Sequence, residues 1–288
     1  MFNLFAAGML FVCLAGICPQ ISLCYGGCGT RQPEGTSQRI VGGEDAARGA
    51  WPWYAQLYLL GSFGCGGTLV ENRYIVTAAH CVDVLITQGA NVAANWRVIL
   101  GKNRENDSEG NNEHVSDVTQ IIIHECYNPN NFDNDIAVMV LASPLPEEGQ
   151  FINSVCWDAG GSKGFDSTAV CYLAGFGTVK EDGNAAHVLQ EAIIPLVEPR
   201  DCVDAYPGII SNNMICAGSV HQDACQGDSG GPLVCSRRDE SGNVERWYLA
   251  GITSWGRGCT KQNSPSVYTD VTRYGFWFED VFASLSGK

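Results

Sequence analysis

Basic residues are scarce in this 288-residue chain: 17 Lys and Arg stand against 31 Asp and Glu, a formal net charge of −14. Nucleic acid and anionic membrane surfaces call for the opposite balance, so neither is expected as a partner; cationic substrates and plain solubility both suit the acidity. No C-x-x-C pair is present, and "HEC" at 124 lacks the second histidine of a zinc-protease motif. His114, His124, His187 and His221 fall in no ligand spacing. No glycine-rich phosphate loop or dinucleotide fingerprint occurs, which excludes the usual nucleotide-binding frames. No repeat, low-complexity tract or linker interrupts residues 40–288, and after the first residues no run is long and apolar enough to span a bilayer.

Cysteine, by contrast, is plentiful. Fourteen cysteines spread along the chain without metal-ligand spacing read as a disulfide framework, hence an oxidising compartment. The apolar start, "MFNLFAAGMLFVCLAGIC", is short for a membrane span and reads as a secretory signal peptide over residues 1–23. Its end stays open between 15 and 24, after Ala15 or after Cys24. Because no basic residue precedes the run, a short signal anchor is the other reading. Residues 24–39, "CYGGCGTRQPEGTSQR", are polar, glycine-bearing and aperiodic, as a cleavable propeptide would be.

Beyond residue 40 the chain alternates short runs rich in β-branched and aromatic residues with Gly, Asn, Asp and Pro: "YAQLYLL", "WRVILG", "VTQIIIH", "DIAVMVL", "WYLAGITSW", "SVYTDV". Strands so spaced predict an all-β fold of barrels. Only "RYGFWFEDVFASL" places apolar residues at helical intervals, predicting a short terminal helix.

The chemistry-bearing residues are His80 in "VTAAHC", Asp135 in "DNDIAVM" and Ser229 in "GDSGG". A serine hydroxyl needs a base to take its proton, and the base needs a third group to fix its tautomer and stabilise its charge. Any one of these residues alone is unremarkable, but in the order His, Asp, Ser they make a nucleophilic set.

From Ile40 onward the chain resembles the chymotrypsin family of serine peptidases, trypsin-like group. The matching motifs are "RIVGG" at 39–43, "TAAHC" at 77–81, "DNDIAV" at 133–138, "GDSGGP" at 227–232 and "SWG" at 254–256. The resemblance implies two packed six-stranded antiparallel β-barrels with a short C-terminal helix, the peptidase domain filling residues 40–288. It implies that Ser229 attacks, His80 carries the proton and Asp135 holds the imidazole, with backbone amides of Gly227 and Ser229 as the oxyanion hole. Ser254, Trp255 and Gly256 would pair with substrate as an added strand.

It also implies a zymogen. Cleavage after Arg39 by a trypsin-like protease would free the α-amino group of Ile40 to pair with Asp228, a buried carboxylate with nothing basic adjacent in sequence. Asp223, six residues before the serine, would sit at the floor of the specificity pocket and select Lys or Arg. Ser266 departs from the pattern, standing immediately before "VYT" where trypsin-like members carry glycine. Its hydroxymethyl is expected to narrow the pocket and handicap planar Arg more than Lys; further closure would admit small or apolar side chains instead.

No cofactor is expected. The acidic loop at 101–114, with Glu105, Asp107, Glu109 and Glu113, resembles the family's calcium loop in position, but Lys102 stands where a ligand glutamate would be and repels the ion. "NDS" marks Asn106 as a glycosylation site. The resemblance pairs Cys65 with Cys81, Cys171 with Cys235, Cys202 with Cys216 and Cys225 with Cys259. Cys28 would join Cys156 and tether the cut propeptide, leaving Cys126 free or paired with Cys24. The implied protein is a secreted, monomeric endopeptidase acting on proteins or peptides and open to protein inhibitors. A catalytically silent relative serving as an extracellular binding module is the second reading.

Overall fold

The computed structural model describes residues 27–31, 43–86, 92–104, 112–145, 149–158, 164–178, 183–219, 223–225, 227–238, 241–258 and 264–286. Two antiparallel sheets make up the molecule. The first is a closed barrel of β2 (Tyr54–Leu59), β3 (Ser62–Val70), β4 (Tyr74–Thr77), β5 (Trp96–Leu100), β6 (His114–Ile123) and β7 (Ala137–Leu141), in the order β2-β3-β4-β7-β6-β5. Its strands follow from the apolar runs. "YIVT" in β4 and "AVMVL" in β7 are buried at every position, as strands enclosed on both faces must be, whereas β6 mixes buried with exposed residues.

The second sheet runs β1-β9-β8-β11-β12-β13-β10. Its members are β1 (Glu44–Asp45), β8 (Cys171–Gly175), β9 (Gln190–Ile193), β10 (Met214–Ala217), β11 (Pro232–Arg238), β12 (Val244–Trp255) and β13 (Ser266–Asp270). It therefore counts seven strands where six were expected, because the two-residue β1, from the stretch that leads into the first barrel, adds to the edge at β9 through Glu44 opposite Glu191.

Three α-helices occur among the described residues: α1 (Ala79–Ile86), α2 (Pro199–Ala205) and the expected terminal helix, α3 (Gly275–Leu285). Phe278, Val281 and Phe282, at helical spacing, are the buried face of α3. Phe282 stacks on Tyr74 of the first barrel with centroids 4.3 Å apart, and Trp157 meets both phenylalanines edge-on. The chain thus leaves the first barrel, builds the second sheet and returns to cover the first. Four disulfides join Cys28 to Cys156, Cys65 to Cys81, Cys171 to Cys235, and Cys202 to Cys216. Cys225 is disulfide-bonded too; Cys259, the partner expected for it, lies outside the described residues, and Cys126 is exposed with a free thiol.

Candidate active site

His80 and Asp135 come from the first barrel: His80 lies in the first turn of α1, just after β4, and Asp135 ends the turn that enters β7. Asp135 is fully buried. Its Oδ1 accepts from the His80 amide at 2.8 Å and its Oδ2 lies 2.7 Å from His80 Nδ1. Ser254 Oγ on β12 donates to the same Oδ2, and Thr269 Oγ1 on β13 donates to the Asp135 carbonyl at 2.7 Å. A buried carboxylate that receives several hydrogen bonds is held in position and spared the cost of an unpaired charge. With its Nδ1 facing that carboxylate, a neutral imidazole is held with its proton on Nδ1, and its Nε2 lies 3.7 Å from Cys81 Sγ.

The turn leading into Asp135 is a strained piece of backbone. Phe132 and Asn134 have φ of 58° and 55°, in the left-handed region that a side chain disfavours. Asn134 is pinned there by Tyr274 Oη, which donates to its Oδ1 at 3.1 Å, and by its own Nδ2, which donates to the Cys126 carbonyl at 3.0 Å. Phe132 meets the His80 ring edge-on at 5.8 Å.

Ser229 comes from the second sheet, in the loop before β11. Its carbonyl accepts from the Gly66 amide at 2.8 Å, while Gly230 N donates to Thr253 O at 2.8 Å and Gly231 N to Asp228 O at 2.9 Å. These bonds lock the loop between the first barrel and β12. Ser229, Ser254, Trp255, Gly256 and Ser266 line one cavity. Asp223 stands at its Ser266 side, where its Oδ1 accepts from the Ala224 amide at 2.9 Å and from the Ser266 amide at 3.3 Å. A side chain begun at Gly256 would meet Ser266 Oγ at 3.2 Å, so the serine hydroxyl faces the glycine wall across the cavity.

Asp228 is buried beneath this loop. Its Oδ1 accepts from Gly177 N at 2.9 Å and its Oδ2 from Cys225 N at 3.0 Å. Burial pushes its carboxyl up to about 6; the two amide bonds oppose the rise and neighbouring Asp223 adds to it. Burial and these same carboxylates raise the hydroxyls of Tyr54, beside Asp228, and Tyr268, beside both aspartates. Gly177 is glycine for reasons of space: a Cβ there would lie 2.5 Å from the Asp228 carboxyl carbon.

The structure thus brings His80, Asp135 and Ser254 together and sets Ser229, Trp255, Gly256 and Ser266 around one cavity, with Asp223 bonded to the amides of the lining residues Ala224 and Ser266. Arg39, Ile40, Asn106 and residues 105–111 of the acidic loop, with Glu105, Asp107 and Glu109, lie outside the described residues. Sequence reasoning missed Thr269, Phe132 and Gly177. Only Gly177 carried a signal, since "AGFG" at a strand end marks close backbone approach. Near the imidazole, Cys65 and Cys81 bring their sulfurs within 4.8 Å of it, but the disulfide between them leaves no thiolate for a metal.

Comparison with known proteins agrees with this geometry. The Trypsin family model matches residues 40–278. The chain is 38% identical over 251 residues to Transmembrane protease serine 7 of Mus musculus, which covers 86% of this chain and 29% of that protein. The Rattus norvegicus protein of the same name is 37% identical over 263 residues, covering 90% and 30%, and the Homo sapiens one 38% identical over 251, covering 86% and 28%. The chain therefore spans under a third of the length of these relatives. Among the described residues no helix is long and apolar enough to cross a membrane. With the His80–Asp135 pair, the serine loop and a family match over most of its length, the chain belongs to the trypsin family of serine peptidases.

Proposed function

We propose that the chain is a secreted serine endopeptidase, made as a zymogen, that hydrolyses peptide bonds after Lys or Arg. The observation that carries the reading is the buried Asp135 carboxylate, aligned on His80 Nδ1 and further fixed by Ser254, beside a cavity edged by Ser229. Ser229 Oγ attacks the substrate carbonyl as His80 Nε2 takes its proton, and the imidazolium is balanced by Asp135. The negative charge that develops on the carbonyl oxygen is met by the Gly227 and Ser229 amides; one such donor is worth about 100- to 1000-fold in rate. His80 then gives the proton to the leaving amine, the C–N bond breaks, and water repeats the sequence on the acyl-enzyme.

Activation follows from Asp228. A carboxylate under the serine loop whose described partners are two neutral amides has room in its charge balance for one cation. The α-amino group of Ile40, freed by a trypsin-like protease at Arg39, supplies it. In the specificity pocket, the Asp223 carboxylate accepts substrate Lys or Arg, and Ser266 Oγ opposite Gly256 shortens the span available to a planar guanidinium. Lys is therefore the favoured side chain, and a still tighter fit would shift preference to smaller ones. No cofactor enters these steps.

The test is fluorophosphonate labelling. Trypsin-treated wild-type chain is expected to label at Ser229, whereas Arg39→Gln and Ser229→Ala chains given the same treatment are expected to stay unlabelled. A wild-type chain cut after Arg39 that takes no label would instead make it a silent binding module.

A further inference from the structure

Residues 27–31 lie against the peptidase domain through contacts that the Cys28–Cys156 disulfide does not by itself require. Gly29 N donates to Ser154 O at 2.7 Å, and Trp247 N on β12 donates to Gly29 O at 2.9 Å. Arg246 Nη1 donates to Cys28 O at 2.8 Å, and Asn153 Nδ2 reaches Thr30 O at 3.1 Å and Thr30 Oγ1 at 2.8 Å. The fit is close: Gly29 has φ of 71°, and a Cβ there would lie 2.4 Å from Trp247 O, so a larger residue would push the segment off.

Arg31 ends this docked stretch over three rings. Its guanidinium carbon is 4.2 Å from the Trp51 centroid, 4.6 Å from that of Trp247 and 5.4 Å from that of Tyr172. The rings arrive from separate parts of the chain: Trp51 from the stretch before β2, Tyr172 from β8 and Trp247 from β12. They brace one another at centroid distances of 5.2 Å between Trp51 and Tyr172 and 5.5 Å for the other two pairs. Trp51 is further held by its Nε1, which donates to Glu191 Oε2 at 2.6 Å. Trp51 and Trp247 are buried, so their faces are pre-placed and poorly hydrated, the condition under which a cation gains most from a π-face. A guanidinium, planar and weakly hydrated, suits such a cage better than an ammonium.

We propose that Trp51, Tyr172 and Trp247 form a guanidinium-binding cage for Arg31, and that this cage keeps residues 27–31 a docked part of the peptidase after the chain is cut at Arg39. The disulfide tethers the remnant at one point; the cage and the backbone bonds fix its position. Docked, the segment bridges the connector at Asn153 and Ser154, between β7 and β8, to β12 of the second sheet. It is a staple between parts of the chain distant in sequence, and its charge is matched to the cage rather than to the catalytic centre. Retention after cutting rests on the activation reading above; docking in the uncut chain does not.

The experiment is hydrogen–deuterium exchange at the Gly29 and Trp247 amides of the full, disulfide-intact chain, before and after trypsin treatment. In the uncut chain, Arg31→Ala and Tyr172→Ala are expected to speed exchange at both amides at least tenfold, while Tyr172→Phe, which keeps the ring face, leaves it within twofold of wild type. In the cut wild-type chain, protection is expected to equal that of the uncut chain. Exchange in Arg31→Ala equal to wild type would overturn the cage. Loss of wild-type protection on cutting would overturn retention. The masses of the two chains report the cut at Arg39 independently, so a failed activation reading is seen as such.

Discussion

At Asp228 a single carboxyl links folding to the proposed activation. Burial lifts its pKa from 3.8 to about 6 in the folded chain, so between those values the folded state holds a proton that the unfolded state has released. Stability from this group is therefore full below about pH 4 and is lost as pH rises through 6, a change on the order of 3 kcal/mol at 1.36 kcal/mol per unit. In a chain kept uncut by Arg39→Gln, urea unfolding is expected to show this decline, and adding Asp228→Asn is expected to abolish it. On the proposed cut after Arg39, an ammonium partner is expected to reverse the balance, and Asp228→Asn to prevent labelling. Ser266 carries the second prediction at this scale. Because its Oγ faces Gly256 across the pocket, Ser266→Gly is expected to raise kcat/KM for Arg substrates about tenfold relative to matched Lys substrates, in proportion to roughly 1.4 kcal/mol of relieved crowding. An unchanged ratio would remove Ser266 from the account of specificity.

Among the elements, α3 shows how a late segment completes an early one. Phe278 is fully buried and Phe282 nearly so, between Trp157 and Tyr74. Phe278→Ala is expected to cost about 3–5 kcal/mol, the loss of a large buried ring plus the cavity it leaves, measured as a shift in urea midpoint at unchanged slope. The periodicity of "RYGFWFEDVFASL" was enough to predict this helix, because a one-sided apolar stripe is a local property. That β1 joins the second sheet was not legible. A two-residue strand, Glu44–Asp45, has no apolar pattern to read, and its pairing depends on where β9 happens to lie. The serine loop divides the same way: "GDSGG" announced its residues, but its support from Gly66, Gly177 and Thr253 comes from elements distant in sequence.

At the scale of the whole molecule, disulfides add a covalent link between strands far apart in the chain: Cys171 and Cys235 are cross-strand partners in the second sheet. Cys171–Cys235 closes a loop of 64 residues between β8 and β11. Removing it with Cys171→Ala and Cys235→Ala together is expected to lower stability by about 4 kcal/mol, chiefly by freeing the unfolded chain, as read from urea unfolding under non-reducing conditions. The surplus of acidic residues, for its part, says nothing of the fold and only weighs against polyanionic partners.

What the sequence determined by itself is whatever is written in local pattern: strand alternation, the terminal helix, the order of His80, Asp135 and Ser229, and a disulfide framework from cysteine number. Tertiary structure alone decided which groups surround those residues. Thr269 and Ser254 close on Asp135, Gly177 makes room for Asp228, and Trp51, Tyr172 and Trp247 gather around Arg31. The physical reason is that burial and desolvation, which set the charge state of Asp228 and hold Arg31 against its rings, arise from the packing of segments far apart in the chain. No single segment carries them.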